Sequence, residues 1–116
     1  MNDNVPSGFG VSTADSAILS PLLGDAEVAQ LFNDQACVAA MARFEIALAG
    51  AQAEHGVIPS DAAAQIQARA SSFEGHLAAM GQSTADASVP TIELVNQMRY
   101  QINHPASAYL HWGATS

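Results

Sequence analysis

Few residues in this chain have the types and spacing for chemistry. Its 116 residues include four histidines and one cysteine. His55 falls at the end of a long apolar helical pattern, where a cation is mildly favourable. His76 has no partner at metal-ligand spacing, and His104 precedes Pro105 where another helical pattern stops. All three read as caps or surface residues. No His/Cys/Asp/Glu grouping has zinc spacing, so no metal is expected. The lone Cys37 excludes an internal disulfide and, in an apolar stretch, reads as a buried, inert thiol. The acids stand singly, without a pair suited to glycoside hydrolysis. Gly8-Phe9-Gly10 lacks the preceding strand and following Lys of a phosphate loop. His111 is different, because it opens the run His111-Trp112-Gly113-Ala114-Thr115-Ser116. Hydroxyls and backbone N–H groups at a helix start bind anions through unsatisfied donors and the helix dipole. His111, Thr115 and Ser116 therefore form a candidate carboxylate site that needs no Lys or Arg.

The charge balance narrows the partners. Eleven acids against three bases (Arg43, Arg69, Arg99) and no Lys give a formal net charge of -8. Nucleic acids and anionic membranes both require a basic surface, so neither is an expected partner. Hydrophobic residues make up 49% of the chain and charged residues 12%. With a mean hydropathy of +0.13, a single packed domain is expected. Met1-Asn2-Asp3-Asn4 has no positive targeting region. Arg43 and Glu45 interrupt the most apolar stretch, Ala36 to Ala53. A soluble cytoplasmic protein is the expectation.

The elements that must position the loop read as helices. Residues 1–24 are expected to form an irregular arm, tacked to the body by Ile18, Leu19, Leu22 and Leu23. Residues 25–116 are expected to form a helical domain. Asp25 caps a short helix to about Phe32, and Asn33 or Asp34 caps a longer one. In the longer helix Cys37, Met41, Phe44, Leu48, Ala51 and His55 recur on one face, the expected buried face. Gly56 and Pro59 end it. Ser60 caps a third helix that points Ile66 inward and ends near Ser71-Ser72. A short helix from Phe73 to Met80 stops at Gly81, and 81–89 is a polar loop. Pro90 opens a helix whose buried stripe is Ile92, Val95, Met98 and Ile102, supported by Leu94. Ala106 to Leu110 begins another turn. Met41, Met80 and Met98 read as core filling. No alternating β pattern is present, so the fold class is all-α. Thr115-Ser116 is a helix N-cap with no helix behind it, which reads as a chain cut short and a domain left incomplete.

The terminal run closely resembles the His-x-Gly-Ala-Thr-Ser segment of the fumarase/aspartase superfamily. Ser12 to Asp25 is similar to the N-terminal arm of its 3-carboxy-cis,cis-muconate cycloisomerase branch. Phe44-Glu45-Ile46-Ala47-Leu48-Ala49, with Gly56-Val57-Ile58-Pro59, is similar to the first long helix and following turn of that branch. Adenylosuccinate lyases typically carry Arg-His-Asp where this chain has Ala87-Ser88-Val89. The resemblance implies the N-terminal helical domain of a homotetramer, truncated before the central helical bundle, with active sites built from three subunits. It implies no metal or organic cofactor. The implied reaction converts 3-carboxy-cis,cis-muconate to a carboxymuconolactone in protocatechuate breakdown, the β-ketoadipate pathway. On this resemblance His111, Thr115 and Ser116 bind substrate carboxylate, and Ser88 lies near a second substrate-facing loop. The family's catalytic serine loop lies beyond Ser116, so no catalytic residue is expected here and the chain alone should be inactive. A tricarboxylate gains no long-range attraction from a segment of charge -8. The alternatives are a fragment of an adenylosuccinate lyase-like enzyme, or a non-catalytic helical interaction module.

Overall fold

The structure is a computed structural model that describes residues 12–115. Among the described residues six α-helices follow one another: α1 (Ser20–Leu23), α2 (Ala26–Phe32), α3 (Asp34–Glu54), α4 (Ser60–Ala70), α5 (Leu77–Ala87) and α6 (Thr91–Ile102). A 3₁₀ helix covers Pro105–Tyr109, and no strand occurs among the described residues. The all-α expectation holds. Local chemistry sets the breaks. The Asp25 carboxylate accepts from Val28 N–H at 3.1 Å, and the Asn33 side chain accepts from Ala36 N–H at 2.9 Å. Asn33 is extended, so α2 ends where α3 begins. Gly56 turns the chain after α3 with φ at +70°. Pro59 takes the N-cap position of α4, one residue before the expected cap Ser60, and Pro90 is the N-cap of α6, so that helix starts one residue after the expected opening at Pro90.

The core lies where α3, α4, α6 and the 3₁₀ helix meet. Ile66, Leu94, Met98, Ile102 and Leu110 are its largest fully buried side chains. Ile66 of α4 is buried as expected, and so is the stripe of α6 apart from Ile92, which is exposed. Met80 and Met98 are buried, and Met41 packs at the core's edge.

Three expectations fail. On α3 the core face is Val38, Ala42, Glu45 and Ala49, next to the expected one. Cys37 and Phe44 are exposed, as are Ala51 and His55, while Leu48 is only half-buried. Alanine on every side of this helix leaves periodicity without a preferred face. Packing against α4, whose contact residues include Ala62 and Ala70, selects the smaller side chains, which let helix axes approach. α5 also runs straight through Gly81 into the expected loop. Glycine costs a helix only about 1 kcal/mol. Buried Met80 anchors the helix, and the Thr84 hydroxyl donates to the Met80 carbonyl at 2.7 Å. The helix ends at Ser88, in the left-handed conformation. Finally, the arm is not tacked down. Pro21 sits in the first turn of α1 rather than breaking it, and Ile18, Leu19, Leu22 and Leu23 are all exposed.

Ala26–Glu54 is long and apolar enough to cross a membrane by length and composition. In the structure the break at Asn33 divides it, and one side of α3 belongs to the core.

Candidate functional site

The loop after the 3₁₀ helix begins at a buried anchor. Leu110 is fully buried, and the next residues reverse direction through two left-handed positions, His111 (φ 60°) and Gly113 (φ 67°). Ala114 N–H closes the turn on the His111 carbonyl at 3.2 Å. Glycine adopts this conformation freely, whereas a residue with a Cβ loses about 1–2 kcal/mol there. His111 is held in it by its surroundings.

Three side chains from the helices tie the loop residue by residue. Arg99 of α6 donates to the Leu110 carbonyl at 3.0 Å. Gln52 of α3 donates to the Trp112 carbonyl at 2.6 Å. Glu45 of α3 lies with Oε1 2.8 Å from Nδ1 of His111. The Trp112 ring rests on Tyr109, with centroids 5.1 Å apart and planes tilted by 43°. Glu45 is the buried charged residue of the core, only 3% exposed. Its Oε2 and the Oε1 of Gln52 are buried without a partner among the described residues. Such orphaned acceptors are costly in a closed core and mark α3 as the polar wall of the loop.

The candidate residues separate. His111 stands against α3 with its side chain 15% exposed. Its Nε2 makes no hydrogen bond among the described residues. Thr115 is exposed at the loop's far end and makes no side-chain hydrogen bond among the described residues. Ser116 lies outside the described residues. Ser88 caps α5, exposed, and no hydrogen bond among the described residues joins it to the loop. The remaining histidines are structural. Nδ1 of His76 accepts from Ala79 N–H at 3.2 Å, and Nδ1 of His104 accepts from Ala106 N–H at 3.1 Å. His55 is the C-cap of α3.

Glu45, Gln52 and Arg99 were not among the expected site residues. Glu45 had a readable signal: it is the one acid on a helical face otherwise made of Val38, Ala42 and Ala49. An acid at a core position calls for a buried donor. The resulting arrangement offers an imidazole nitrogen, a hydroxyl and a tight turn at a partly open surface. It suits a carboxylate or a proton transfer at Nε2.

No protein-family model matches the chain. Over 109 residues, 91% of the chain, it is 31% identical to a 3-carboxy-cis,cis-muconate cycloisomerase of Bradyrhizobium diazoefficiens. Over 108 residues, 90% of the chain, it is 33% identical to a nitrosuccinate lyase of Streptomyces davaonensis. The chain spans about a quarter of the length of these curated relatives, 24% and 23%. Among solved structures, a fumarate lyase from Mesorhizobium sp. BNC1 matches with a TM-score of 0.74 and 38% identity, covering 79% of this chain and 22% of that one. With a helical fold shared with that fumarate lyase, and sequence similarity to these enzymes along nearly all its length, the chain belongs to the fumarase/aspartase superfamily.

Proposed function

We propose that the chain is the N-terminal part of an enzyme that converts 3-carboxy-cis,cis-muconate to a carboxymuconolactone, and that its terminal loop holds a substrate carboxylate. The observation that carries this reading is His111, fixed in a left-handed turn against buried Glu45 with its side chain 15% exposed. Similarity to the Bradyrhizobium cycloisomerase supports the choice of substrate. In this reading residues 1–24 are an arm and 25–116 an incomplete helical domain of a cytoplasmic homotetramer. His111, Thr115 and Ser116 meet one carboxylate, and Ser88 faces the site from a second loop. A different substrate carboxylate adds to a double bond, forming the carbon–oxygen bond of the lactone. The displaced electron pair passes onto the carbon next to another carboxylate, which then takes a proton. Fixed donors stabilise the charge that builds on that carboxylate.

A second reading, a lyase acting on a dicarboxylate, is favoured by the similarity to nitrosuccinate lyase, at 33% identity. One assay separates the two. The full-length parent should form lactone from 3-carboxymuconate, while the 116-residue chain, without the family's serine loop, should form none. Turnover of nitrosuccinate or adenylosuccinate in place of 3-carboxymuconate would replace the first reading with the second. Lactone formation by the pure 116-residue chain would refute the division of labour.

A further inference from the structure

We infer that Glu45 is a positioning residue that sets the tautomer of His111 and so decides which ring nitrogen meets the ligand. This rests on His111 being a ligand-binding residue as proposed above, although the tautomer itself can be tested without that reading. Oε1 of Glu45 lies 2.8 Å from Nδ1, and the carboxylate is 3% exposed on the core face of α3. An ionised carboxylate only accepts hydrogen bonds, so Nδ1 carries the proton. In the neutral ring Nε2 is then bare and accepts. It donates to a carboxylate only when the ring is protonated at both nitrogens, with Glu45 as the buried counter-charge. A carboxylate ligand at His111 therefore meets an imidazolium, and a neutral ring takes a proton from its ligand at Nε2.

The fold supplies internal controls. Nδ1 of His76 and Nδ1 of His104 accept backbone N–H groups, so both rings carry their proton on Nε2. His111 is the opposite case. Its backbone, at φ 60°, also keeps the ring against α3.

Nitrogen NMR of the ¹⁵N-histidine-labelled 116-residue chain tests this, with His111→Asn to assign the signal. At a pH where the rings are neutral, His76 and His104 should show the Nε2–H pattern and His111 the Nδ1–H pattern. An Nε2–H pattern at His111 would overturn the inference, since it would make Glu45 the donor. Glu45→Leu, which removes the acceptor and is checked for folding by circular dichroism, should abolish the Nδ1–H preference. Its persistence would equally overturn the inference. In the full-length parent, Glu45→Gln should lower kcat/KM about tenfold in the native His111 background and less than twofold in the His111→Asn background. A role confined to packing gives the same loss in both. If the parent turns over none of the superfamily substrates tested, the functional proposal fails, while the NMR result still decides the role of Glu45.

Discussion

Thr115 and His111 share a loop but are fastened to the protein differently. His111 is tied to α3 through its ring, whereas the exposed Thr115 side chain has no hydrogen-bond partner among the described residues. Thr115→Val keeps the shape and removes the hydroxyl. A charge-assisted hydrogen bond to a substrate carboxylate is worth about 1.5–3 kcal/mol. In the full-length parent the substitution should therefore lower kcat/KM roughly tenfold to a hundredfold. The thermal midpoint should hardly move, because surface substitutions stay within about 0.5 kcal/mol. If Thr115 instead only caps a following helix, stability should fall by about 1 kcal/mol with unchanged kinetics. Kinetics and a melt on one variant distinguish the two. The loop itself was readable from its residue types. Glu45 stood out as an acid on an apolar face, but its pairing with His111 was not readable, because the contact joins residues 66 apart in the sequence.

At the scale of elements, the readable helices were those with one apolar side. On α6 the expected stripe of Ile92, Val95, Met98 and Ile102 with Leu94 is buried except for Ile92 in the first turn. On α3 the sequence has apolar residues all round, so the choice of face falls to α4, which a local reading does not contain. α5 failed for another reason. Gly81 is a stop signal only when the backbone must turn, and here it does not. Substitution at two glycines tests this account. A Cβ at Gly81 meets nothing within 4 Å, and its φ is not left-handed. Gly81→Ala should therefore raise stability by about 0.5–1 kcal/mol. A Cβ at Gly75 would lie 2.7 Å from a Val38 methyl and 3.1 Å from the Met80 sulfur. Gly75→Ala should destabilise by about 1–3 kcal/mol through overpacking. Denaturant melts of both variants provide the check, and equal effects would contradict the packing described for Val38 and Met80.

At the scale of the whole molecule the described chain is elongated. Its radius of gyration is 17.0 Å and its long axis 53 Å, against about 13 Å for the radius of a compact domain of roughly this size. α1 and α2 account for the difference in character, because neither buries a residue. Leu22, Leu31 and Phe32 are 80%, 71% and 81% exposed. Apolar surface of this extent drives association. The 116-residue chain should self-associate in sedimentation or bind a hydrophobic dye, and Leu31→Ser with Phe32→Ser should weaken both. Because those side chains are unburied, the melting curve should stay within about 0.5 kcal/mol of the parent. A dye-silent monomer at high concentration would contradict the exposed arm. The opposite end of the molecule has an optical consequence. The chain contains one tryptophan, and Trp112 sits in the loop, its ring beside Tyr109 and its carbonyl held by Gln52. Indole emission from this protein therefore comes from the candidate site alone. It tracks loop release or ligand arrival without background from the helical core, which far-ultraviolet dichroism reports separately.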